Sequence, residues 1–239
     1  MRVFAERQPV LALVVVAMVV LEIIASAMFL ALYDFDIGVL AANPAAVPDR
    51  GPEVATLLRW GALVDMLGYL ALAPVVVYLR SRLTTAASEE RRGSWVVDLL
   101  TFGGLGWVLV GSIGAALWAS AGPPLLEASV AGSKTADSAG VAFAALANAV
   151  NVGLWGTLEW LLLPVWLIGV GWLVRAEGRS FGWLAILAGV GDLAYGLRTG
   201  LSGRPPVDLT SPLDYLTFAG FGLFFVWAIW LAIRLWQGR

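Results

Sequence analysis

Four acidic residues, Glu22, Asp65, Glu159 and Asp192, stand deep inside long apolar stretches of the chain. A charged side chain at the centre of a bilayer costs about 2.5–3.5 kcal/mol on insertion scales, so such residues face a partner, a cavity or a task. Carboxyl groups brought close together cannot all ionise cheaply, and a pair then shares a proton. The chemistry open to them is proton coupling, cation binding or general-acid work on a buried ligand.

Other residue types narrow that chemistry. There is no Cys and no His, which removes thiolate nucleophiles, disulfides and the usual ligands of haem and transition metals. The single Lys, Lys134, falls in a loop, so no Schiff base forms inside the bundle. No metal site is expected, and no residue pattern names a cofactor. What remains is carboxyl, Tyr, Asn, Ser, Thr, Trp and Arg.

The candidate ligand-binding set is built around the acids. Glu22 and Glu159 fall near the centres of the first and fourth helices, where an axis relating the two halves would bring them together. Asp65 is followed by Tyr69 and Asp192 by Tyr195, toward the outer portions of the second and fifth helices. Arg59 and Arg198 lie six residues from these aspartates, about 9 Å nearer the outer surface and turned by about 240°, so each Arg is expected to meet the other helix's Asp. Snorkelling to the interface is the alternative use of both arginines. Asn148, Asn151, Trp155 and Glu159 follow α-helical spacing down one side of the fourth helix, and Pro164 removes the amide donor to the Trp160 carbonyl. Asp98 and Asp214 open their helices and are expected to serve as N-terminal acids.

The elements that carry these residues are transmembrane helices. The chain has 60% hydrophobic and 13% charged residues and a mean hydropathy of +0.84, far from a soluble domain. Six helices are predicted near 10–33, 57–79, 95–121, 142–174, 181–199 and 213–236. The expected fold is an all-α polytopic membrane protein with residues 1–239 in a single membrane domain. Arg2 and Arg7 before an apolar run, with Ala25-Ser26-Ala27 after it, imitate a secretory signal, but the run is too long and Glu22 interrupts it.

Two stretches coincide in register. Val97-Asp98-Leu99-Leu100-Thr101-Phe102-Gly103-Gly104-Leu105-Gly106 opens the third helix, and Leu213-Asp214-Tyr215-Leu216-Thr217-Phe218-Ala219-Gly220-Phe221-Gly222 opens the sixth. Leu21-Glu22 also matches Leu158-Glu159. The expectation is an inverted 3+3 repeat, half one about 10–121 and half two about 142–236, with a binding site near the midplane. Recurrent small-residue packing is the other explanation of the match. Ten of the fifteen basic residues fall at the termini and in the second and fourth loops, which places both termini in the cytoplasm. The long loops 34–56 and 122–140 then face outside, and Asn43-Pro44-Ala45 is a single copy with no channel counterpart. Of the Trp residues, Trp60, Trp95, Trp118, Trp172, Trp183 and Trp236 are expected in interfacial belts, and Trp107, Trp155, Trp160 and Trp166 deeper.

Leu57-Leu58-Arg59-Trp60-Gly61 with Asp65, Trp160-Leu161-Leu162-Leu163-Pro164-Val165-Trp166, Gly178-Arg179-Ser180-Phe181-Gly182 and Ala188-Gly189-Val190-Gly191-Asp192 are similar to a widespread bacterial family. That family comprises small six-helix membrane proteins known only as a domain of unknown function. The resemblance implies a six-span bundle in the bacterial cytoplasmic membrane and carries no catalytic residues over.

The residues accommodate three uses: a carrier or binding protein for a small molecule or cation, an enzyme acting on a lipid or isoprenoid through a carboxylic acid, or a non-catalytic subunit or sensor. The first is preferred because the acids are deep and the halves repeat. The expected partners are the lipid bilayer, a small-molecule, lipid or cation ligand, and in some settings a second copy in a homo-oligomer. A net charge of −2 indicates no nucleic acid.

Overall fold

The computed structural model describes residues 3–4, 6–35, 47, 52–89, 94–129, 134–202 and 212–238. Its described secondary structure is helical, with no strand among the described residues. The long helices are α1 (Pro9–Ala31), α2 (Ala55–Glu89), α3 (Ser94–Ala128), α4 (Ala136–Val174), α5 (Arg179–Ser202) and α6 (Pro212–Gln237). Each contains a span long and apolar enough to cross a membrane, the architecture of a multi-pass membrane protein. Most of the first long loop, with Asn43-Pro44-Ala45, and the side chain of Asp214 lie outside the described residues.

Three helices run past their expected ends. α2 continues ten residues beyond 79 because nothing in Arg80–Glu89 breaks it, and the Thr84 and Thr85 hydroxyls donate back to the Arg80 and Ser81 carbonyls. α3 passes through Pro123 and Pro124, where a loop was expected. Those prolines remove two amide donors, but the turn they belong to buries Leu126 and seats Gly122 against Leu58 and Trp118. α4 begins at Ala136, six residues earlier than expected, and its middle stretch Asn148–Glu159 is wound as a π-helix. The Thr157 hydroxyl reaches back five residues to the Val152 carbonyl at 2.7 Å, in keeping with that wider winding.

Each helix packs on its neighbours in the chain, and α1 closes on α6. The outer surface of α1 is an unbroken apolar stripe of Val10, Leu13, Val16, Val20, Ile23 and Ile24. The interior divides into two clusters. One, toward the termini, holds Met18, Leu72, Trp107, Trp166, Phe181 and Trp227. The other, toward the opposite end, holds Leu32, Leu58, Trp118, Phe143 and Val150. Along α1, α2 and α4 the residues between the two clusters are Glu22, Asp65 and Glu159, so the acids mark a polar layer across an apolar core.

The termini meet at one end. The Gln8 amide donates to the Leu235 carbonyl at 2.7 Å, and the Val3 amide to Glu177 Oε1 at 2.5 Å. Arg82 donates to the Val3 carbonyl at 3.1 Å and pairs with Glu6 at 3.5 Å. Phe4 is wholly buried against Phe181, with the Arg234 guanidinium over both rings. The segment before α1 thereby ties α2, α5 and α6 together. Phe4→Ala should lower stability by about 3 kcal/mol, the usual cost of emptying a phenyl-sized site, and thermal unfolding in detergent measures it.

Candidate functional site

Glu159 is the centre of the polar layer. It ends the π-segment of α4, and Trp160 immediately after it has ψ of 1°, outside both regular helical windings. Pro164 leaves the Trp160 carbonyl without its helical donor, and that oxygen abuts Gly196 of α5, where a Cβ would come within 2.6 Å. π-windings concentrate at functional positions because they re-aim side chains at the expense of helical regularity. Here the winding ends on Glu159, whose buried carboxyl meets Tyr69 of α2 and Trp107 of α3.

Two neutral donors converge on one oxygen of that carboxyl. Tyr69 Oη donates to Glu159 Oε1 at 2.7 Å and Trp107 Nε1 donates to the same atom at 2.6 Å. The Tyr69 and Trp107 rings meet edge to face at 5.5 Å, and Phe224 of α6 meets Trp107 the same way at 5.6 Å. Glu159 Oε2 is buried and has no hydrogen-bond partner. It is a free acceptor in a water-poor interior, where an unpaired polar atom is costly.

A second acidic centre lies within electrostatic reach of Glu159: Glu22 of α1 and Asp65 of α2, which share a side-chain hydrogen bond. Carboxylates only accept, so a bond between two carboxyl groups exists while one of them holds a proton. Glu22 was expected opposite Glu159. It pairs with Asp65 instead because α1 packs along α2, where Gly68 leaves the space its carboxyl fills.

Asp192 stands at the α5–α6 crossing. It is fully buried, neither of its oxygens has a hydrogen-bond partner, and Oδ1 lies against Gly220. Neither Arg59 nor Arg198 therefore bonds to it. Arg59 is exposed on α2 and Arg198 half-buried on α5, so the expected Arg59–Asp192 pair does not form. Tyr195 packs on Trp160 at 4.3 Å, beside Glu159 in sequence.

Of the expected α4 face, Asn151, Trp155 and Glu159 all bond to α3, and Asn148 alone departs from it, at the start of the π-segment. Asn148 is exposed; Asn151 accepts from Trp118 Nε1 at 3.2 Å; Trp155 donates to the Gly111 carbonyl at 3.2 Å. Trp118 is thus a core residue rather than part of an interfacial belt. Asp98 is exposed and held by Arg80 at 2.7 Å, away from the acidic layer.

Residues that sequence reasoning missed are the glycines that make room for the site. A Cβ at Gly111 would fall 2.2 Å from the Tyr69 ring, and one at Gly114 2.3 Å from Trp155 Nε1. Gly111→Ala should therefore push Tyr69 off Glu159 at a cost of roughly 1–3 kcal/mol. Combined with Tyr69→Ala the penalty should largely vanish, a non-additivity that a double-mutant cycle of thermal stabilities reads directly.

Set against protein-family models, curated protein sequences and solved structures, the chain matches none of them, and its own residues carry the functional reading.

Proposed function

We propose that the protein is an integral membrane carrier or binding protein that takes up a small cation in exchange for protons at the Glu22, Asp65 and Glu159 layer. The observation that carries this reading is Glu159 Oε2, a buried acceptor left open beside the Glu22 and Asp65 carboxyls. Acids without a bonded cation are neutralised either by protons or by a cationic guest. Exchange between those two states is what a coupled carrier requires.

In this reading the halves are inverted repeats related across the layer, with both termini in the cytoplasm. The local packing supports the pairing. Gly68 of α2 seats against Glu22 of α1, while Gly196 of α5 seats against Trp160, the residue after Glu159 of α4. The chain lacks cysteine, so single substitutions test orientation cleanly. Lys134→Cys should react with a membrane-impermeant maleimide on intact cells, and Ser81→Cys only after permeabilisation; the reverse pattern inverts the topology.

The exchange itself is tested with the purified protein in sealed vesicles holding a pH-sensitive dye. Gradients of sodium, potassium, magnesium and a protonated amine are imposed in turn. At least one should move protons in wild type and not in Glu159→Gln. If none does, or if the variant equals wild type, the carrier reading fails.

A further inference from the structure

Resting on that reading, we infer that the cation taken by the Glu159 site is a protonated organic amine rather than a metal ion. The donor set is unsuited to a metal. Among the described residues, no group of three His, Cys, Asp or Glu side chains is placed to hold one. Hard cations such as calcium and magnesium need at least six oxygens around them, about 2.0–2.6 Å away. Glu159 Oε1 is also spent: the Tyr69 hydroxyl and the Trp107 indole both aim a hydrogen at it, which sets positive charge where a metal ligand would have to present negative charge.

What the site offers is one free acceptor, Glu159 Oε2, in aromatic surroundings. A single buried carboxyl oxygen suits a single N–H donor of an ammonium group. The Tyr69, Trp107 and Phe224 rings follow one another edge to face from that carboxyl, and Tyr195 packs on Trp160. Rings beside the carboxyl favour an organic cation, whose weakly hydrated body gains from ring contact, over a metal that must shed tightly held water. Charge balances without any further reagent. The ammonium keeps its protons and donates one N–H to Oε2, and one proton leaves the acidic layer for each cation bound.

The test uses the full chain in nanodiscs, with calorimetry for binding and a pH dye in weak buffer for proton release. The probes are benzylammonium, benzyltrimethylammonium (the same body without an N–H), sodium and magnesium. Benzylammonium should bind with proton release, benzyltrimethylammonium at least about tenfold more weakly, and the metals not at all. Glu159→Gln should weaken benzylammonium by at least about tenfold while Asp98→Asn leaves it unchanged. Tyr69→Phe, which keeps the ring and frees Oε1, serves as a second variant should Glu159→Gln fail to fold; it should alter benzylammonium affinity by several-fold and leave benzyltrimethylammonium less affected. Sodium or magnesium releasing protons in a Glu159-dependent way, with benzylammonium inert, would overturn the amine assignment and keep the exchange reading. Equal affinity for the two benzyl probes overturns the N–H contact. No proton release by any probe removes the exchange reading itself.

Discussion

Glu159→Gln should yield a folded protein that no longer releases protons when a cation is offered, whereas Glu159→Ala should fail to fold well. The difference follows from the two donors on Oε1. A glutamine keeps a carbonyl oxygen for Tyr69 and Trp107 to donate to, and loses only the titrating group. An alanine leaves a phenol and an indole without an acceptor in a dry interior, at roughly 1–2 kcal/mol each, and adds a cavity. Thermal unfolding should therefore rank wild type and Glu159→Gln together, with Glu159→Ala several degrees below. The proton-release assay should instead rank wild type alone above both variants. If Glu159→Gln unfolds as readily as Glu159→Ala, the carboxyl is held by something other than these two bonds. If it folds and still releases protons, the exchange site lies elsewhere.

The largest effect on the fold is expected at the α4–α5 hairpin. Gly171 and Gly182 face each other so closely that a Cβ on Gly171 would sit 2.6 Å from the Gly182 carbonyl oxygen. One on Gly182 would sit 2.5 Å from the Gly171 carbonyl oxygen. Both obstacles are backbone, so no side-chain rotation relieves them, and the helices must part. In a membrane such contact matters more than apolar burial, because lipid is as apolar as the core and close backbone approach provides the packing. Gly171→Ala and Gly182→Ala should each cost about 3 kcal/mol or more, and the double variant less than the sum, since the first substitution already separates the helices. Gly140→Ala is the control: nothing lies within 4 Å of its Cβ position in the first turns of α4, and it should be neutral or stabilising by up to about 1 kcal/mol. Equal unfolding temperatures for Gly140→Ala and Gly182→Ala would refute the close approach.

Some of this was legible residue by residue. The spans were readable because twenty or so consecutive apolar residues admit few other fates, and the helix centres fall where expected. The helix ends were less so. Pro123 and Pro124 look like a stop signal, yet the burial of Leu126 and the seat of Gly122 against Leu58 of α2 keep them helical, which only the neighbouring helix can decide. The repeated glycines illustrate the same limit. Gly104 and Gly220 occupy matching positions in the two coinciding stretches, but Gly104 seats against Trp166 of α4 and Gly220 against Asp192 of α5. A glycine records that something comes close and not what it is.

Sequence alone determined that acids interrupt the apolar spans, because residue type and span length are read directly from the chain. Only the tertiary structure decided how they are used. The partnering of Glu22 with Asp65, the two donors on Glu159 and the isolation of Asp192 depend on which helices lie side by side and on the π-winding that turns Glu159 toward Tyr69 and Trp107. Hydrogen bonds are directional and act over about 3 Å, so contacts between residues 90 positions apart, as Tyr69 and Glu159 are, come into being only with the packed bundle.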